Sequence, residues 1–211
     1  VKQSKSSATP SPAPRSSYHH GDLRQSLIDA AIGLIQEGEI SQVSLREVAR
    51  RVGVSHNAPY RHFPDKEALL IAVSEQGFQR LRSATEQALE QSSAEGGQRL
   101  MAIGQAYVRF AVQNPAYYRV MFSAYGCGQD EGLQAAMAQS FAVLLKVIEA
   151  GQAAGSFRTD NALQMAQTAW AFVHGIAMLA IDGQLSVPQG EAFDRFLQFS
   201  TRMLIEGFAA A

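Results

Sequence analysis

From Leu23 to Phe208 the apolar residues of this chain recur at helical spacing, and no stretch alternates as a half-buried strand would. Leu23, Leu27, Ala30, Ala31, Leu34 and Ile35 mark one face of a helix from about Asp22 to Glu37, stopped by Gly38. Asp65 is placed to cap a long helix over 66–90. Further helical patterns run from Gln98 to Gln113, ended by Asn114-Pro115, and from Asp130 to Ala154. Asn161 to Ile181 and Glu191 to Phe208 complete the series, and a short aromatic segment, AYYRVMF, follows Pro115. The expected fold is all-α, with about nine helices: a small three-helix unit, a connecting helix and a larger helical bundle.

Composition narrows the setting. Hydrophobic residues make up 46% and charged residues 18% of the 211, as in globular proteins. The longest apolar run, Trp170 to Ile181, falls short of the roughly 18 residues a membrane span needs and contains His174. Residues 1–17, rich in Ser, Pro and Ala, lack the apolar segment of a secretory signal and read as a flexible, weakly basic arm. Cys127 is the only cysteine, which excludes an intramolecular disulfide. A cytoplasmic protein without a membrane partner is expected. Up to Arg82 there are 11 Lys/Arg against 8 Asp/Glu, and from Ser83 onward 7 against 11. A mildly basic front and an acidic remainder suggest two modules with different partners, although scattered surface charge would give so small a difference.

Residues 44–63 carry the most specific chemistry. Ser44-Leu-Arg-Glu47 is a capping box, with Glu47 placed to reach back to the Ser44 amide. Leu45, Val48, Ala49 and Val52 share one face, leaving Arg46, Arg50 and Arg51 outside. Gly53 supplies a turn, and Ser55 is placed to cap a second short helix ending at Phe63-Pro64. Two short helices joined by a glycine turn fit the helix-turn-helix plan. His56 and Asn57 then occupy the first turn of the second helix, where a major-groove reader meets base edges. Tyr60, Arg61 and His62 follow, and Lys66 opens the next helix. Ser44 and Arg46 sit at the start of the preceding helix, whose free amides suit a phosphate. On spacing alone, the arginines read equally well as a solvated face.

The block VSLREVARRVGVSHNAPYRHFPDKEALLIAV, preceded by DLRQSLIDAAIGLIQEG, resembles the TetR family of bacterial transcriptional regulators over roughly residues 20 to 80. The family pattern appears as Tyr60, His62, Phe63, Lys66, Glu67 and Leu69. Farther on, NPAYYRVMF and AWAFVHGIAML resemble a subgroup with a Trp-x-x-x-His-Gly motif, here Trp170, His174 and Gly175. The resemblance implies phosphate contacts for Ser44, Tyr60, His62 and Lys66, and base readout by Arg46, Ser55, His56, Asn57 and Arg61. It places Phe63 in the core. Pro59 departs from the family, which usually has an inward aliphatic residue there. With Ser55 as the cap, its missing N–H forfeits only the first helical bond and its ring still offers an apolar inward face. A distorted or 3₁₀ start is expected, presenting His56 and Asn57 ahead of regular α-geometry.

All six methionines and nine of the eleven phenylalanines lie beyond residue 83. Such residues fill ordinary cores and also line adaptable pockets. The resemblance implies a small-molecule cavity, for which the candidates are Tyr107, Phe110, Tyr117, Met121, Phe122, Phe141, Trp170, His174 and Met178. His174 reads as either a hydrogen-bonded core histidine or a ligand anchor. Phe193, Phe196, Leu197, Met203 and Leu204 form a stripe on the last helix, and helix 161–181 is apolar nearly all round over its second half. Such helices call for a partner, and TetR-like proteins usually pair them in a four-helix homodimer contact. The expected organisation is an arm over 1–17, a DNA-binding head over 18–82 and a ligand-binding and dimerisation module over 83–211.

The function expected is a ligand-responsive regulator, a repressor that binds a palindromic double-stranded DNA operator as a homodimer and is released by a small hydrophobic effector. No cofactor, metal site or catalysis is expected. His19-His20, His56 and His62 lack partners at metal-ligand spacing, and there is no glycine-rich phosphate loop or nucleophile elbow. The alternative is a helical small-molecule binding or scaffolding protein without specific DNA use.

Overall fold

Eight α-helices and three 3₁₀ turns organise the chain in a computed structural model that describes residues 23–92, 96–127, 130–185 and 190–209. The arm expected at 1–17 and the His19-His20 pair lie outside the described residues. Among the described residues the only extended pairing is an isolated bridge between Phe157 and Ala209, so the all-α expectation holds.

The head starts with α1 (Leu23–Glu37), whose inward face buries Leu27, Ile28, Ala31 and Ile35. A 3₁₀ turn, Ile40–Gln42, leads to α2 (Leu45–Val52), which buries Leu45, Val48 and Ala49. Gly53, at φ 79°, ends α2 in the left-handed conformation that costs glycine least. The second helix expected over 55–63 is not α-helical: only a 3₁₀ turn, Pro59–Arg61, forms there. That replacement is why eight α-helices stand where about nine were expected.

Asp65 caps α3 (Lys66–Glu90) by accepting the Ala68 amide at 2.8 Å, as its position predicts. The helix passes residues 82–83, the expected boundary between modules, without a break. In the bundle follow α4 (Gly97–Gln113), α5 (Pro115–Met121), a 3₁₀ turn at Ala124–Cys127, α6 (Glu131–Ala153), α7 (Ala162–Ile181) and α8 (Glu191–Glu206). Pro115 sits at the first position of α5, where a missing N–H costs nothing.

One cluster of buried residues joins head and bundle through α3. It runs from Leu27, Val48 and Phe63 through Leu69, Val73 and Phe78 to Tyr118, Leu133 and Leu197. A second cluster gathers Leu100, Ile148, Phe157, Met165 and Phe208. Each fully buried Leu or Phe in them contributes about 1.5–3 kcal/mol. Where α5 crosses α3, Gly77 is required: a Cβ there would lie 2.6 Å from Met121 Sδ. Among the described residues α6 is the one helix long and apolar enough to span a bilayer, with a mean hydropathy of 1.3. Its Leu133, Ala136, Val143 and Val147 are buried, and α6 packs on α3 and α7.

Candidate nucleic-acid interface and ligand cavity

Ser44 caps α2 by accepting the Glu47 amide at 3.2 Å. The reciprocal half of the capping box is not made. The Glu47 carboxylate instead takes two bonds from Arg50, at 2.9 and 2.5 Å. Arg51 makes a two-bond pair with Glu37, which holds that carboxyl below its usual range. Arg50 and Arg51 are thus each matched by a carboxylate. Arg46 and Arg61 are exposed and have no ion-pair partner among the described residues, which leaves their guanidinium groups turned to solvent.

The segment after Gly53 follows from Pro59. In an α-helix starting at His56, the residue 59 amide would bond the Ser55 carbonyl, and proline has no N–H to give. The Ala58 amide takes that carbonyl instead, at 2.9 Å, which sets the tighter i→i+3 pattern. His62 and Phe63 amides then both bond the Pro59 carbonyl at 2.9 Å. Ser55 is not the cap, contrary to the sequence expectation, because the 3₁₀ turn begins at Pro59 with Ala58 in the cap position. Ser55, His56 and Asn57 lie exposed ahead of the 3₁₀ turn, and Tyr60, Arg61 and His62 are exposed on or beside it. Pro59 is buried, as its apolar ring suggests, and Phe63 is core at 2% exposure.

Lys66 is half-buried. Its Nζ donates to the Ile40 carbonyl at 2.7 Å and the Ser41 carbonyl at 2.8 Å, and burial lowers its pKa. The side chain therefore pins the loop before α2 to the start of α3, with one of its three donors left over. Sequence reasoning assigned it to phosphate alone and missed this bond, because the loop carbonyls are 25 and 26 positions away.

Within the bundle a cavity of about 480 Å³ opens between α3, α4, α6, α7 and α8. Tyr107, Met121, Phe122, Phe141 and Trp170, five of the nine residues picked from the sequence, line it. The exposed lining residues Gln134, Ala138, Gln167 and Trp170 place its mouth between α6 and α7. Four candidates fall elsewhere. Phe110 is in the main core and Met178 packs against it. Tyr117 turns toward the head: its hydroxyl donates to Gln76 Oε1 at 2.6 Å, Gln76 Nε2 donates to Gln25 Oε1 on α1 at 2.8 Å, and the Arg80 guanidinium lies 4.7 Å from its ring centroid. The cavity also uses Phe78, Leu81 and Thr85 of α3, which sequence reasoning passed over, and Leu204 of α8, which it assigned to the dimer stripe. The first three recur at i, i+3 and i+7, a stripe continuing past the head that was the available signal.

His174, the fourth, lies behind the cavity wall. Its Nδ1 is 2.7 Å from the Tyr118 hydroxyl and 3.3 Å from that of Tyr107. The Tyr107 and Tyr118 oxygens are 2.9 Å apart, and Trp170 Nε1 donates to Tyr107 at 3.2 Å. Burial lowers the pKa of His174, which favours the neutral ring, and raises Tyr107 to about 12 and Tyr118 further still. Four polar groups thus satisfy one another in an apolar surround. His174 is the hydrogen-bonded core histidine of the two readings open in the sequence.

The outer face of α7 and α8 differs from the expected stripe. Phe193 and Leu197 are buried at 6% and 0% exposure within the chain, and Leu204 faces the cavity. Met203 is exposed, Phe196 is half-buried, and Phe199, which is not on that stripe, is 54% exposed. The α8 helix packs its Phe193–Leu197 side onto the body, and that rotation turns Phe199 and Met203 outward. On α7, Leu179 is exposed, and a Cβ on Gly175 would meet nothing within 4 Å.

Comparison with known proteins agrees with this architecture. Residues 27–73 match the family model for bacterial regulatory proteins of the tetR family, and residues 100–204 match that of the tetracyclin repressor-like C-terminal domain. A protein of unknown function from Rhodococcus sp. RHA1 is similar over 93% of this chain and 100% of its own, with 32% identity and a TM-score of 0.82. A bacterial regulatory protein of the tetR family from Rhodococcus RHA1 shares 24% identity over 89% of this chain and 98% of its own, at a TM-score of 0.68. A TetR family transcription regulator from Marinobacter aquaeolei VT8 shares the fold at 17% identity and a TM-score of 0.68, over 89% of this chain and 96% of its own. With both halves of the chain matched by models of one family, and the turn and bundle built as described, the protein belongs to the TetR family of bacterial transcriptional regulators.

Proposed function

We propose that this protein is a ligand-responsive repressor that binds a palindromic operator as a homodimer in the cytoplasm and is released by a small hydrophobic effector. Residues 18–82 form the DNA-binding module and residues 83–211 the ligand-binding and dimerisation module. Arg46, Ser55, His56, Asn57 and Arg61 read bases, while Ser44, Tyr60, His62 and the spare donor of Lys66 hold phosphates. Exposed Phe199, Met203 and Leu179, with half-buried Phe196, face the second subunit across the open surface of Gly175.

The observation that carries this reading is the continuity of α3. Its first turn is tied to the head through Lys66, and its middle supplies Phe78, Leu81 and Thr85 to the cavity. Met121, also in the cavity wall, presses against Gly77 of the same helix. An occupant that moves Met121 therefore acts on the helix that positions the head. It releases DNA to the extent that it binds the displaced state more tightly, and DNA weakens effector binding by the same factor.

Selection of DNA from a random pool at moderate salt tests the reading. An enriched palindrome with half-sites about 34 Å or a multiple apart is the expected result. Its absence would leave a helical ligand-binding protein without specific DNA use. Gly175→Leu tests the dimer: the variant keeps its helicity and melting temperature but sediments as a monomer.

A further inference from the structure

We infer that the cavity selects an uncharged ligand, a mainly apolar molecule carrying a neutral polar group such as a hydroxyl, and rejects carboxylates and ammonium ions of the same length. The inference rests on the effector reading above and adds the chemical class. Among the described residues that line the cavity, none carries a charge. The charged groups on the adjoining turn of α3 are already matched: Arg82 donates to Glu86 at 2.8 Å and to Gln139 at 2.6 Å, outside the lining.

The threonines on α3 and α8 add no hydrogen-bond donor to the cavity. Thr85 gives its hydroxyl hydrogen to the Arg82 carbonyl at 2.8 Å, and Thr201 to the Leu197 carbonyl at 2.7 Å. Both residues are buried, at 7% and 2% exposure, and their hydroxyls have only lone pairs left to offer an occupant. The Trp170 N–H is spent on Tyr107. A carboxylate would find only neutral donors, on Gln134, Ser140 and Gln167, and no cation to pair with. Burying an unpaired ion is far costlier than burying a hydroxyl, which can donate to one of the threonine oxygens. An ammonium would find the aromatic faces of Phe122, Phe141 and Trp170, which offset part of its lost hydration, but no carboxylate.

Trp170 is the only tryptophan in the chain and lines the cavity mouth, so its fluorescence reports occupancy. Titration of the full chain with 1-decanol, decanoate and decyltrimethylammonium at about pH 8, below micelle-forming concentrations, compares three head groups on one tail, with the acid ionised. Decanol is expected to bind about tenfold or more tighter than either ion. Gly104→Leu and Ser140→Phe, which fill the cavity from α4 and from α6, are each expected to abolish the response to decanol; folding is checked by thermal melting. Equal or tighter binding of either ion overturns the charge selection, as does an unchanged decanol response in both filled variants. Operator binding is followed in parallel on the ligand-free protein. If none of the three probes binds, the effector reading falls together with this inference; if an ion binds best, only the charge selection falls.

Discussion

The head and the cavity wall handle their polar groups in opposite ways. Around Ser55–His62 the polar side chains stand exposed, and Arg46 and Arg61 have no carboxylate partner among the described residues. In and behind the cavity wall, the Tyr107 and Tyr118 hydroxyls, His174 Nδ1 and the Trp170 N–H bond to one another. Water satisfies the first group, so its members can be exchanged at little cost to the fold. Tyr107 and Tyr118 of the second group are buried and depend on the rest of it for their hydrogen bonds. The exposed segment after Gly53 and the cavity wall thereby differ in energy as well as in place.

The contrast predicts a graded set of mutational effects on stability. Tyr118→Phe leaves His174 Nδ1 and the Tyr107 hydroxyl short of a buried partner and lowers stability by about 1–3 kcal/mol in urea unfolding. A loss below measurement error would mean water enters the wall. Lys66→Met removes two bonds to loop carbonyls that can partly turn to solvent, at about 1 kcal/mol, and it also weakens operator binding. The Lys66 effect should therefore appear in both assays, unlike that of Tyr118. Arg46→Ala and Arg61→Ala shift stability by less than about 0.5 kcal/mol. In binding titrations they weaken the operator by about 1–3 kcal/mol if they reach bases. Unchanged affinity in both would remove them from the interface.

Acidity probes the wall through His174. Its folded pKa lies below the ordinary 6.5, so the unfolded chain takes up a proton that the folded ring refuses. The contribution of His174 to stability is present above that value and is lost as pH falls below it. His174→Gln should flatten this part of the stability–pH curve, below about pH 6.5. The smallest change in stability is expected for Pro59→Leu, whose buried apolar side chain is kept while an amide becomes available to the Ser55 carbonyl. The prediction is a retained melt and an altered operator preference. A large loss of stability would show that the proline ring fills space leucine cannot.

Several features were legible in the chain itself because their causes are local. The caps at Ser44 and Asp65, the stop at Gly53 and the 3₁₀ start forced by Pro59 each depend on residues within four positions. The helical order and family membership followed from such signals in series. Ambiguity began where two local partners competed: Glu47 was expected at the Ser44 amide and pairs with Arg50 instead.

Sequence alone therefore determined the eight helices that form and where most of them end, and it anticipated a 3₁₀ start at Pro59 while assigning to 55–63 a helix that does not form. Tertiary structure decided which face of each helix meets which neighbour. Phe110 and Phe122, alike in sequence, part into core and cavity because α4 and α5 present them to different helices. Phe193 and Phe199 part in the same way, inward and outward, by the rotation of α8 on the body. Helical periodicity groups side chains on a face but does not orient that face. Only the long-range packing of the bundle supplies the orientation, and with it the uncharged cavity.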